Sequence, residues 1–275
     1  MSLTRNALLI CALALCPRAF AGGILELEMT EHYEDPPVVS TVEISTSGSA
    51  CRMEVDTPGQ RESGGMIYRG DSGDMIALDH SGKRYYVLDE ASMQEMGSQL
   101  SGAMKQMQEA LDSMPPDQRA MAEKMMKQHM PAGMQQPARA PSSLHETGRE
   151  DTVSGFACDY YEVRRNGTKV RELCVTSWDE LPGGRDIAET MLEMAGFYER
   201  MTEALSEEAG IGVLGEQQEL FAHLEELDGY PVLTREFDPG GEVASESVLK
   251  SATVADLEPS LFEPPAGYTR MSTGL

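Results

Sequence analysis

Positive charge is scarce in this sequence. Its 275 residues hold 22 Lys and Arg against 46 Asp and Glu, a formal charge of −24. Binding to phosphates needs a basic surface, so nucleic acid and anionic headgroups are poor partners for such a chain. Long apolar runs are missing too. Beyond the first 21 residues nothing approaches 18 consecutive apolar positions, and no membrane-spanning segment is expected there. Histidine numbers five, at His32, His80, His129, His145 and His223, with no zinc-protease pair among them. There is no Cys-x-x-Cys and no phosphate-binding glycine loop. Gly70-Asp71-Ser72-Gly73-Asp74 imitates the nucleophile loop of trypsin-like proteases, but His32 upstream lacks the matching context, and a hairpin turn accounts for those residues better. No catalytic residue is assigned, no cofactor is expected, and the chain is read as a non-enzyme.

What is present begins with an export signal. Arg5 provides a positive start, Ala7 to Cys16 an apolar core of ten residues, Pro17 a break, and Ala19-Phe20-Ala21 the small residues of a cleavage site before Gly22. Leu15 precedes Cys16 where a lipidation site wants a small residue. Residues 1–21 are therefore expected to leave, and residues 22–275 to form one exported domain, periplasmic or secreted, in a Gram-negative bacterium. Losing Arg5 and Arg18 takes the charge to −26. That acidity serves solubility.

The mature region opens with short amphipathic strands. Leu25, Leu27 and Met29 alternate with Glu26, Glu28 and Thr30, and further strands are expected near 38–46, 50–56, 66–69, 75–79 and 84–88, with turns such as Asp71-Ser72-Gly73 and His80-Ser81-Gly82 between them. Such strands predict a one-sided antiparallel sheet whose apolar face must be covered. In the third of them Cys51, Met53 and Val55 alternate with charged residues, so Cys51 reads as a small buried hydrophobe.

Methionine supplies the cover. Ten of the 19 methionines lie between Met93 and Met134. Met93, Met96, Leu100, Met104, Met107, Leu111 and Met114 recur at helical spacing as one stripe, behind a cap at Asp89 or Ser92 with Glu95 completing the box. Pro115-Pro116 stops this helix. A second is expected from Asp117, carrying Met121, Met125, Met126 and Met130, and closed by Pro131. Residues 131–150, with Pro131, Pro137 and Pro141 and no hydrophobic period, read as a flexible loop. Helices near 186–205 and 216–227 and strands near 232–237 and 242–255 complete the pattern. The fold class is α+β, a curved antiparallel sheet (half-barrel) packed on amphipathic Met-rich helices.

Phe156 to Val175 reads as a hairpin turning at Asn166-Gly167. A three-residue loop with Gly167 left-handed sets Cys158 opposite Cys174, which in an oxidising compartment predicts a disulfide; the alternative is two unpaired buried thiols.

The order of strands, a Met-rich helix ending in the phrase Leu111-Asp112-Ser113-Met114-Pro115-Pro116-Asp117-Gln118-Arg119-Ala120-Met121, and a cysteine hairpin resembles an uncharacterised bacterial exported family, domain of unknown function 4412. Gly229-Tyr230-Pro231-Val232 and Ser245-Glu246-Ser247-Val248-Leu249-Lys250-Ser251 fit the same pattern. The phrase Leu261-Phe262-Glu263-Pro264-Pro265-Ala266-Gly267-Tyr268 fits it as well, and it is also similar to the closing strand of the periplasmic lipoprotein-carrier fold. That resemblance implies a sheet wrapped around helices and an apolar cavity for an acyl chain or hydrophobic polypeptide.

Three functional expectations follow from these readings. The first is a binding protein holding a hydrophobic small molecule, lipid or lipoprotein segment between sheet and helices, with Met93, Met96, Leu100, Met104, Met107 and Leu111 facing the ligand. The second is a soft-metal site for Cu(I) or Ag(I) at Met125, Met126, His129 and Met130, whose spacings of three and four bring thioethers and an imidazole to one helix face. The third is an envelope interaction protein with a filled core.

Overall fold

The alternating segments pair into a single sheet. In the computed structural model, which describes residues 20–59, 64–115, 118–119, 141–209, 223 and 226–272, the strands are β1 (Phe20–Glu31), β2 (Val38–Ser47), β3 (Ala50–Asp56), β4 (Gly64–Arg69), β5 (Asp74–Asp79) and β6 (Arg84–Leu88), followed by helix α1 (Glu90–Asp112). Next come β7 (Ser142–Val153), β8 (Phe156–Arg165), β9 (Thr168–Ser177), helix α2 (Gly184–Ala209), β10 (Gly229–Phe237), β11 (Val243–Leu257) and β12 (Thr269–Met271). The sheet order is β12-β6-β5-β4-β3-β2-β1-β11-β10-β9-β8-β7. Two meanders, β1 to β6 and β7 to β11, are thus joined through the antiparallel β1–β11 pair. The sheet is open and curved rather than closed into a barrel, and β12 adds to β6 in parallel.

Alternation decides which side chains face which cover. Leu25 and Leu27 of β1, with Val42, Leu233 and Leu249, pack under Ile187 and Met191 of α2 on what we call the inner face. Gly23 makes room for this contact, since a Cβ there would lie 2.7 Å from the Ile187 side chain. On the outer face Ile67, Ile76, Leu78 and Val87 pack with Leu257 and Phe262. The outer cover is the C-terminal segment. After β11 it makes a 3-10 turn at Pro259–Phe262, crosses β3 and β4, and ends as β12 on the β6 edge. Arg52 Nη1 donates to the Leu261 carbonyl at 2.7 Å, and Arg69 pairs with Glu263 at 2.9 Å. The phrase 261–268 is therefore a strap across the sheet and not a closing strand.

Three other expectations change. Residues 142–150, read as part of a loop, belong to β7; residues 131–140 lie outside the described residues. β7 is an edge strand whose side chains face water almost throughout, so no apolar alternation marks it. Its register breaks between Glu146 and Glu150, and Arg149 swings over the ring of Tyr160, 3.4 Å from the centroid, and onto Glu172. The β8–β9 hairpin turns on two residues, Asn166 and Gly167, both with positive φ, and the register shifts past Val163. Cys174 consequently faces Tyr160, and the Cys158–Cys174 disulfide forms on the diagonal with a Cα–Cα distance of 5.3 Å. Finally, α1 lies mainly on α2 and meets the sheet at β6, so α2 and not the α1 stripe is the direct cover of the strands. Its cap is Asp89 with Ser92 at the third position, donor and acceptor in both directions, without Glu95.

Phe262 is the apolar anchor of the strap. Phe262→Ala is expected to lower the unfolding free energy by about 3 to 5 kcal/mol, read from urea titration, and to speed proteolysis between residues 258 and 272. A loss under about 1 kcal/mol would mean that the strap contributes no core contact.

Candidate functional site

Where the first meander passes beneath α2, the inner face carries sulfur and aromatic rings in rows set by strand register. Cys51 of β3 pairs with Tyr68 of β4, Tyr68 with Met75 of β5, and Met75 with Leu88 of β6. Two residues along, Ile44, Met53, Met66 and Ala77 form a parallel row. A period of two keeps both rows on the same face. From above, α2 lowers Met194, Phe197, Tyr198 and Met201, spaced for one helix face, and α1 adds Met93; all five are buried with Cys51, Tyr68 and Met75 in one cluster. Tyr68 and Phe197 rings meet at 5.6 Å and a tilt of 54°, and Phe197 and Tyr198 at 6.1 Å and 72°, an edge-on arrangement that favours aromatic pairs.

The polar atoms here are few and satisfied locally. Tyr68 Oη donates to the Glu193 carbonyl at 3.3 Å. Tyr198 Oη lies 3.5 Å from both Met66 Sδ and Met75 Sδ, so its proton serves two sulfurs. Burial pushes the Cys51 thiol up to about 12. The Tyr198 hydroxyl is also raised, by burial first and then by the neighbouring Cys51. At neutral pH the layer is therefore uncharged, soft and polarizable. It offers no general base and no activated nucleophile; it suits an apolar or a soft ligand.

The residues expected to face a ligand are distributed as follows. Met93 is buried against α2, Leu111 is buried and Met107 is half-buried, while Met114 at the end of the stripe is 38% exposed. Met96, Leu100 and Met104 sit on α1, and their side chains lie outside the described residues, as do Met125, Met126, His129 and Met130 altogether. Sequence reading singled out the α1 methionines and missed that β3, β4 and β5 each place sulfur on the same face. The signal was there in the parity of Cys51, Met53, Met66 and Met75.

Elsewhere the polar groups serve structure. Ser72 Oγ donates to Asp74 at 2.7 Å, and Asp74 is tied to Arg69 at 2.6 Å, so the protease-like phrase is the turn between β4 and β5. Ser142 Oγ lies 2.9 Å from His223 Nε2, but the Glu226 carboxylate stands 3.6 Å from Nδ1, too far for the bond that orients a triad base. An open groove of about 760 Å³ runs beside the strap, where His80 bridges Glu54 at 2.6 Å and Tyr268 Oη at 2.7 Å. Another of about 510 Å³ lies over the strand ends near Asp151, Asp159 and Glu180. Among the described residues no group of three or more His, Cys, Asp and Glu side chains is placed to hold a metal, and no helix is long and apolar enough to cross a membrane.

No family model matches the chain, so the resemblance to domain of unknown function 4412 has none behind it, and no curated protein matches in sequence. Solved structures with a similar chain course include an uncharacterized conserved protein from Thermus thermophilus, at 8% identity and TM-score 0.44, covering 92% of this chain and 90% of that one. They also include the MucA/MucB complex of Pseudomonas aeruginosa, at 7% identity and TM-score 0.36, covering 91% and 58%. MucB on its own matches at 7% identity and TM-score 0.36, covering 92% and 60%. This chain thus spans under two thirds of the MucB chains. Likeness at this level carries no information about activity.

The buried thiol gives a direct check on the layer. With its pKa near 12, Cys51 is almost entirely protonated at about pH 8, and the thiolate is the reactive form. Iodoacetamide labelling of Cys51 in native buffer is expected to be slow and to follow unfolding in urea. Complete labelling of the native protein within minutes would place Cys51 in contact with solvent.

Proposed function

We propose that this chain is a non-enzymatic, extracytoplasmic binding protein that takes an apolar ligand, such as a lipid, an acyl chain or a lipoprotein segment, between its sheet and its helices. The supporting observation is the way α1 is seated: it rests on α2 and reaches the sheet at β6, so it can lift from the inner face without breaking a strand pair. Beneath it lie Met75, Met194 and Met201, side chains that repack around varied apolar shapes at little cost. In this reading Met96, Leu100, Met104 and Met107 of α1 face the ligand once α1 has moved. The export signal expected at residues 1–21 and the Cys158–Cys174 disulfide suit an oxidising compartment outside the cytoplasm. The competing reading, an interaction protein with a permanently filled core, draws on the burial of Met93 and Leu111.

Binding of a fluorescent fatty-acid analogue separates the two. The proposal expects saturable binding at a single site, displaced by unlabelled long-chain fatty acid, and a co-purifying lipid in native mass spectra of protein taken from its own envelope. An empty protein with no saturable probe binding would favour the filled core.

A further inference from the structure

The sulfur of the inner face converges as well as fills. Methionine fills irregular gaps in a core, and its thioether is also a soft donor. Here Met66 and Met75 come from adjacent strands and both place Sδ 3.5 Å from one atom, Tyr198 Oη, so the two sulfurs lie within twice that distance of each other. Cys51 occupies the same face one strand further on, is 2% exposed and carries a free thiol. Met93 of α1 and Met194 of α2 close the cluster from above. Among the described residues no group of three or more His, Cys, Asp and Glu side chains is placed to hold a metal, there or elsewhere.

We propose that Met66, Met75 and Cys51 form a binding site for a soft monovalent cation, Cu(I), beneath Tyr198. Thioether and thiolate sulfur select Cu(I) over Zn(II), Mg(II) and Ca(II), and the unbranched methionine side chain lets both Sδ atoms close on one point by rotation alone. The ion takes the place of the Tyr198 proton as the partner of the two thioethers. At Cys51 the sulfur–hydrogen bond is exchanged for a sulfur–copper bond and one proton leaves to solvent, so the site keeps zero net charge and no electron is transferred. Burial disfavours a bare thiolate but not a neutral copper–thiolate pair. The site lies on the strands and not at Met125, Met126, His129 and Met130, and it does not require an apolar ligand: lifting of α1 at its N-terminal end suffices for entry.

The test is anaerobic titration of the mature protein, disulfide intact, with Cu(I) in competition with bicinchoninate. The expected result is one tightly held equivalent per chain, an all-sulfur first shell by X-ray absorption, and one proton released on binding near neutral pH. Methionine to leucine conserves volume, so Met66→Leu/Met75→Leu should fold normally by circular dichroism. Loss of an outer-shell partner alone costs about 10- to 100-fold in metal affinity, and this double variant, which removes two direct ligands, should lose more. Cys51→Ala should abolish the proton release. A variant carrying Met125→Leu, Met126→Leu, His129→Gln and Met130→Leu should bind as the parent does. Failure of the parent to compete with bicinchoninate, or parent-like binding by Met66→Leu/Met75→Leu, would overturn the site. Fatty-acid binding is read separately, so failure of one assay leaves the other informative.

Discussion

The antiparallel pairing of β1 with β11 holds the two halves of the sheet together. It runs from Phe20 against Leu257 to Glu31 against Ser245 and joins two meanders that would otherwise each end in a long open edge. Its inner side supplies Leu25, Leu27 and Leu249, over which α2 lies, and its outer side leads through Leu257 into the strap. One bulge, between Glu26 and Leu27, admits Lys250 as an extra residue, and Lys250 pairs with Glu28 at 3.2 Å on the solvent side. Helix, strap and sheet are thus all referred to one ladder.

The two covers differ in kind. Beside its Phe262 anchor, the strap is held by directional contacts at separate points: a guanidinium on a backbone carbonyl, a second on Glu263, and His80 on Tyr268. Met93 at the start of helix α1 is packed among thioethers and rings, contacts that weaken little when a side chain rotates. Directional anchors resist sliding, whereas a soft layer tolerates rearrangement, and regions that open below the global unfolding free energy are drawn from contacts of the second sort. Burial of the thiol and of the Tyr198 hydroxyl keeps that layer neutral.

Much of this was legible in the residues. Strands β1 to β6, the cysteine hairpin, α1, α2 and β11 were all expected close to where they lie, because alternation and helical spacing both report one buried face. The edge strand β7 was not, since an element wet on both faces has no such pattern. The strap was missed for another reason. Ile67, Ile76 and Leu78 look inward to a one-sided sheet, but they face the opposite side from Tyr68 and Met75, and only the path of the last residues explains that second apolar face. As for the site, the α1 stripe drew attention because a helix displays its period over many turns. A row of one residue from each of three short strands leaves in the sequence only the parity within each strand, and the register is what brings it together.

Hydrogen exchange resolved by residue reports whether α1 is a movable cover over the soft, neutral layer. The α1 amides are expected to exchange through a partial opening of lower free energy than the amides of α2 and of the β1–β11 ladder, and this opening should leave the ladder protected. If α1 and the ladder exchange together, with the free energy of global unfolding, α1 is part of a single rigid core and does not move as a cover.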